Sequence, residues 1–355
     1  MKNIIEALRI PVIQGGMGVG VSLSGLAGNV AKCGGMGVIS SVNAGYLEED
    51  FERNPVEANL RALKWHIKKA KEIANGVGLI AVNIMTAVSN YEKTCKAVIE
   101  AGADAIISGA GLPLKLAEYV KGTNTGFAPI VSSGKAAALL CRNYSKKNDM
   151  VPDFIVLEGY KAGGHLGFSP EELREHTAQE NDAILLEVLE AIKPYEEQYG
   201  RKIPVFVAGG VFDGNDLAHF MELGAAGVQM ATRFIATKEC DAHDVFKNAM
   251  VNAKEEDIII IESPVGMPAR AINSPLLKRL KAGEKFPAKI CNGCLTACKK
   301  GDKTPYCISR ALIEAVKGNW EDGLFFCGEN ANRVDKIMTV SELMESIETE
   351  WRKSR

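Results

Sequence analysis

The sequence has no long hydrophobic run. Its string of four isoleucines at 258–261 is far too short for a bilayer, which takes about 20 apolar residues. The opening residues, MKNIIEALRIPVIQGG, lack the apolar core of a secretory leader, so the expectation is a soluble, cytoplasmic protein. Neither sign of charge is in excess: 42 Lys and Arg face 44 Asp and Glu, a net charge of −2. That balance gives no basis for binding nucleic acid or an anionic membrane. Two nucleotide fingerprints are missing as well. No G-x-G-x-x-G opens a helix after the first strand-like run, and no G-x-x-x-x-G-K-[ST] occurs. The glycine-rich GMGVGVSLSG misses the first spacing. There is no convincing internal repeat and no low-complexity segment.

What is present is a recurrent alternation. Of 355 residues 46% are hydrophobic, ample for a large core. Eight short apolar runs stand out: PVIQG (11–15), GMGVISS (35–41), GLIAVNIM (78–85), AIISGAG (105–111), APIVSS (128–133), FIVLEG (154–159), PVFVAGG (204–210) and GVQMATRFI (227–235). They are continuously apolar rather than alternating, which predicts strands covered on both faces. The segments between them, 183–198 and 240–250 among them, have helical spacing. Strands alternating with helices predict βαβ units and a parallel sheet. Eight units predict an α/β fold, a (β/α)₈ TIM barrel, over 1–255. Past about 255 Pro, Lys and Cys become frequent and a helical tail follows (308–318, 339–351), so 256–355 reads as a C-terminal extension packed on the barrel.

Barrel chemistry sits at the C-terminal ends of the strands. The residues there are small, polar or glycine: Gln14-Gly15-Gly16-Met17, Ser40-Ser41, Asn83, Ser108-Gly109-Ala110-Gly111, Ser132-Ser133, Glu158, Gly209-Gly210 and Ala231-Thr232. Gly164, beside the histidine described next, and Gln229, on the last strand, join the candidate cofactor contacts. The turns at Gly209-Gly210 and Ala231-Thr232 could supply backbone amides to a phosphate, although paired glycines also relieve crowding in any tight turn. Asn83 and Gln14 carry amides that both donate and accept, which suits the mixed edge of a flavin. His165, in EGYKAGGHLGF, follows the sixth run directly and sits among Gly163, Gly164 and Gly167. An imidazole exchanges protons near neutrality, so His165 is the candidate acid–base. His66, His176, His219 and His243 lie in helical or charged segments and read as structural or solvated.

In order, PVIQGGM, GGMGVIS, VNIM, SGAG, EGYKAGGHLG, VAGGVFDG and VQMATRF resemble the nitronate monooxygenase family, once called 2-nitropropane dioxygenases. That family includes the flavin-dependent type II enoyl-acyl-carrier-protein reductases. The resemblance spans about residues 5–275 and implies an FMN-binding (β/α)₈ barrel. It makes His165 the catalytic base and places Gln14, Gly15, Gly16, Met17, Asn83, Gly209, Gly210, Ala231 and Thr232 around FMN. One departure is visible: Ala231 stands where the family usually has glycine, which is tolerated if φ is negative there. Two chemistries are implied for a small-molecule substrate: oxidation of nitronates or nitroalkanes with O₂, or reduction of an enoyl thioester with NAD(P)H as transient reductant. A barrel that binds a phosphate ligand without chemistry is a third reading, and a homodimer is open.

Nine cysteines complete the inventory. Cys33, Cys95, Cys141 and Cys240 are scattered and read as small buried apolar residues. Cys291, Cys294, Cys298 and Cys307 are spaced C-x₂-C-x₃-C-x₈-C. Four close thiolates can converge on one metal, either Zn²⁺ or a [4Fe–4S] cluster, and the loop is similar to the cluster loop of iron–sulfur 2,4-dienoyl-CoA reductases. Thiols packed without metal are the alternative. Cys327 reads as a spare at the turn into the tail.

Overall fold

The structure is a computed structural model that describes residues 6–288, 291–296, 298 and 304–354. Its strands are β1 (Val12–Gln14), β2 (Met36–Ser40), β3 (Leu79–Met85), β4 (Ala105–Gly109), β5 (Gly126–Val131), β6 (Ile155–Glu158), the two-residue β7 (Gly164–His165), β8 (Val205–Ala208), β9 (Gly227–Met230), β10 (Ile258–Glu262) and β11 (Pro268–Ile272). All eight apolar runs supply barrel strands: β1 to β6, β8 and β9 close a parallel barrel, with Val12, Ile13 and Gln14 of β1 opposite Val228, Gln229 and Met230 of β9. The last run is shorter than its sequence predicts. β9 ends at Met230, and Thr232–Ile235 coil into one helical turn.

The continuous apolarity of the strands has a direct cause. Successive side chains point to opposite faces, and both faces are buried. Met36, Val38, Ala105, Ile107 and Val156 fill the barrel interior with Phe154 and Phe206, whose rings meet edge to face at 5.7 Å. Their neighbours Ile39, Ile106, Ile155 and Leu157 face the surrounding helices in a second core. Helix termini are set by side chains near and far. Asp213 caps Gly214–Glu222 through the N–H groups of Asn215 and Asp216. Asp241 reaches across the chain to accept from the N–H groups of Leu23, Gly25 and Leu26 at the start of Ser24–Lys32, satisfying donors that a helix leaves orphaned.

The C-terminal residues are interleaved with the barrel. Thr339 and Glu342 form a capping box for the helix Val340–Lys353, which lies against Gly214–Glu222 and Ser24–Lys32. Glu350 accepts from the Gly214 N–H at 2.9 Å. The isoleucine run forms β10, an element its sequence did not suggest; with β11 it makes an antiparallel hairpin, and β11 then pairs with β7. Cys95, Cys141 and Cys240 are buried as expected. Among the described residues no helix is long and apolar enough to cross a membrane.

Candidate active site at the barrel mouth

A cavity of about 220 Å³ opens at the C-terminal ends of the strands. Gly15, Gly16 and Met17 after β1 line it, with Asn83 from β3 and Glu158 from β6. Gly164 and His165 enter from β7, Gly209 and Gly210 from the loop after β8, and Gln229, Ala231 and Thr232 from β9 and its turn. Among the strand-end residues, Ser41, Ser108, Ala110, Gly111 and Ser133 stand outside it, as do Gln14, Gly109 and Ser132. Gln14 is fully buried, and its carboxamide joins β1 to β2, accepting from the Val38 N–H at 3.1 Å and donating to the Val38 carbonyl at 3.2 Å. The side chain is thus engaged by the barrel wall at both ends. Gly109 is walled in by Ile130, and its carbonyl accepts from Thr86. Ser132 sits behind Gly167 rather than on the cavity.

The loops after β8 and β9 present backbone amides. Gly209 and Gly210 have φ of +88° and +85°, the left-handed region that glycine enters without penalty. The Gly209 carbonyl accepts from Asn181 Nδ2 and the Gly210 carbonyl from Asn330 Nδ2, each at 2.6 Å. In a trans peptide the N–H points opposite to its carbonyl, so these bonds turn the Gly210 and Val211 amides away from the asparagines. Among the described residues the N–H groups of Gly209, Gly210 and Ala231 have no hydrogen-bond partner. Ala231 has φ of −128°, so its methyl group replaces the family glycine without strain. Thr232 Oγ1 accepts from the Gly328 N–H at 2.9 Å and ties this turn to the tail.

The glycines around His165 follow from crowding. A Cβ on Gly163 would stand 2.5 Å from the Cys327 backbone carbon, and Gly164 has φ of +70°. That close approach lets β7 pair with β11, placing His165 opposite Ala269. Arg270 of β11 secures the loop before it, donating to the Tyr160 and Ala162 carbonyls at 2.7 and 2.5 Å. His165 Nε2 lies 2.8 Å from Ser263 Oγ, and the Phe326 ring stands edge-on at 5.4 Å. Burial pulls the His165 pKa down from 6.5 to about 4, so the imidazole is neutral at physiological pH and available as a base.

Glu158 has the opposite shift. Burial raises its carboxyl from 4.5 to about 7, and no hydrogen-bond partner for it occurs among the described residues. The folded ligand-free protein therefore binds a proton here between pH 4.5 and 7 that the unfolded chain has released. Below that window the group costs nothing; as pH rises through 7, the buried carboxylate destabilises the fold. Glu158→Gln should match the parent below pH 4.5 and exceed it above pH 7 by on the order of 3 kcal/mol. Thermal unfolding of the ligand-free proteins across this range measures the divergence; parallel curves refute it.

The cysteine reading is corrected. Cys291, Cys294, Cys298 and Cys307 do border one small cavity, but among the described residues no three or more His, Cys, Asp or Glu are arranged to hold a metal ion. A zinc or iron–sulfur site is unsupported. Residues 299–303 of the loop lie outside the described residues.

Several contributors had no signal in the sequence. Ser263 is 98 residues from its partner His165. Asn181 opens a helix, and Phe326, Gly328 and Asn330 lie in the tail. Only the fold brings them to the barrel mouth.

A family model described as nitronate monooxygenase matches residues 1–350. A protein of Staphylococcus saprophyticus named "Probable nitronate monooxygenase" is 28% identical over 295 residues, covering 77% of this chain and 78% of that one. A Mycobacterium tuberculosis protein, (3aS,4S,5R,7aS)-5-hydroxy-7a-methyl-1-oxo-octahydro-1H-indene-4-carboxyl-CoA dehydrogenase, is 24% identical over 367 residues, covering 95% and 91%. The structure of FabK from Thermotoga maritima superposes with a TM-score of 0.74 at 25% identity, covering 99% of this chain and 95% of that one. A closed parallel barrel, a histidine held at its mouth and a match across nearly the whole length lead to one assignment: the chain is an oxidoreductase of the nitronate monooxygenase family.

Proposed function

We propose that the protein is an FMN-dependent oxidoreductase in which neutral His165 removes the α-proton of a nitroalkane, and that nitroalkanes and the nitronates they give on deprotonation are its substrates. The observation that carries this reading is the imidazole itself, half-buried on the wall of the cavity, 2.8 Å from Ser263 and kept neutral by desolvation. The chain's residues fit the cofactor. The unpartnered amides of Gly209, Gly210 and Ala231 would hold its phosphate. Asn83 and Gln229 would meet the polar edge of the ring, and Gly15 and Gly16, packed against those two side chains, would present their backbone to it. Bound there, FMN supplies the electron acceptor through which a nitronate is oxidised with O₂.

The protein's own part is proton management. With Nε2–H donating to Ser263, Nδ1 carries the lone pair that accepts the proton from carbon. The Phe326 edge and the β7–β11 pairing fix the ring plane. Ser263→Ala removes one hydrogen bond, about 1.4 kcal/mol of orientation, and should lower kcat roughly tenfold. KM should change little, and the pKa of the acid limb of the pH–rate profile should move. A lowered kcat with that limb unmoved would mean that Ser263 only supports the hairpin.

A second reading is favoured by the family's breadth. One relative is named a carboxyl-CoA dehydrogenase, and FabK has a superposable structure. The same proton site would serve thioester redox chemistry, with NAD(P)H as transient reductant. Anaerobic stopped-flow spectroscopy separates the two. Flavin bleaching by propyl nitronate, with none by NADH or NADPH, is expected. Prompt bleaching by either nucleotide, without turnover of propyl nitronate, overturns the first reading in favour of the second.

A further inference from the structure

A second chamber adjoins the barrel-mouth cavity. The two share Val42, Met85, His165 and Leu312 as walls, so His165 stands at their junction. Its barrel side is Val56, Leu60 and Val88; its far side is Leu295, Ile308 and Leu312 of the C-terminal extension. That far wall is sewn to the loop after β3 by backbone bonds. The Ser89 N–H donates to the Cys294 carbonyl at 3.1 Å, and the Thr296 N–H donates to the Ala87 carbonyl at 2.9 Å.

Charge decides what such a chamber can hold. Among the described residues lining it there is no Asp, Glu, Lys or Arg. A phosphate or carboxylate placed here would lose its hydration without gaining a counter-charge. An aliphatic chain would gain from burial against leucine, isoleucine and valine. Besides His165 the polar groups present are uncharged carboxamides and the hydroxyls of Ser41, Thr94 and Ser309, and the side chain of Asn90, which borders the chamber, has no hydrogen-bond partner among the described residues.

We propose that this chamber is the substrate subsite for an uncharged aliphatic arm, with Asn90 meeting a carbonyl or amide on it, and that the extension sets specificity by supplying the outer wall. The proposal rests on the redox reading only in taking the reacting carbon to lie at His165. Any nucleotide or phosphate portion of a substrate stays outside. The adjoining cavity bordered by the four cysteines shares Asn292, Cys294 and Leu295 with this wall.

The test uses neutral n-alkanamides from propanamide to decanamide, titrated into oxidised holoprotein and followed by the flavin absorbance. Affinity should rise by about fourfold per methylene and level off once the chamber is full. Val56→Phe and Leu60→Phe, both partly exposed positions on the helix Pro55–Ala74, should bring the plateau to shorter chains. n-Alkanoates of equal length should bind at least tenfold more weakly. Affinity independent of length, a plateau unmoved in both variants, or alkanoates binding as well as amides would each overturn the chamber assignment while leaving the redox reading standing. Protein that purifies without flavin would instead overturn the redox reading. The same series followed by thermal shift on that protein would then decide the chamber by the same criteria.

Discussion

Replacing His165 with alanine should lower turnover by about 10²- to 10⁴-fold, the usual contribution of a positioned acid–base group, while flavin stays bound. The two halves of this expectation have separate structural grounds. Proton transfer is assigned to the imidazole alone, and Ser263 and Phe326 serve only to hold it. Cofactor retention is assigned to the β8 and β9 turns, which the substitution does not touch. The pH dependence adds a sign. Burial holds the folded pKa at about 4 instead of 6.5, so the base form persists through the mildly acidic range. The activity plateau should extend below pH 6, and stability should decline as pH falls from 6.5 through 4, because the fold resists the proton that the unfolded chain takes up. Steady-state kinetics with flavin quantified in the same samples checks the claim. A yellow His165→Ala variant that turns over like the parent would remove histidine from the chemistry, and a colourless one would show that the ring is a cofactor contact.

Gly209→Ala should weaken flavin binding by at least about tenfold and destabilise the fold by about 1–3 kcal/mol. Two penalties coincide. The residue has φ of +88°, and a Cβ there would lie 2.7 Å from the Gly159 carbonyl oxygen, an atom of the barrel rim that cannot swing aside. Relieving the clash rotates the 209–210 peptide, breaks the bond from Asn181 and turns the Gly210 N–H out of its present direction. Gly122→Ala supplies the control: φ is +77° with nothing within 4 Å of the added carbon. It carries the conformational penalty alone and should leave flavin content unchanged. Thermal melts and bound-flavin spectra of the two variants separate strain from cofactor loss. Equal flavin content in both would refute the phosphate role of this turn.

The alternation of apolar runs with helical segments made the barrel legible, because a strand buried on both faces must be apolar at every position, and eight such strands are hard to arrange otherwise. His165 was legible for a related reason. A titratable ring among glycines directly after a strand has no local use. The candidates at the ends of β8 and β9 were readable as small residues in tight turns, and all of them line the cavity. Gln14 has a second role, bridging two neighbouring strands through Val38, that leaves no local trace in the sequence. The cysteine spacing was misleading: sequence spacing states which thiols can meet, and the backbone path decides whether they converge on one point.

The sequence by itself determined the number of barrel strands, their parallel order and the loop positions that face the mouth, and it singled out His165, since each depends on the burial or conformational needs of a few consecutive residues. Tertiary structure alone decided that Ser263 meets His165, that Asn181 and Asn330 set the direction of the β8 amides, and that Leu295 and Leu312 wall a second, uncharged chamber beside His165. These are contacts between residues distant along the chain. They exist only once the barrel has closed and the extension has folded back over its rim.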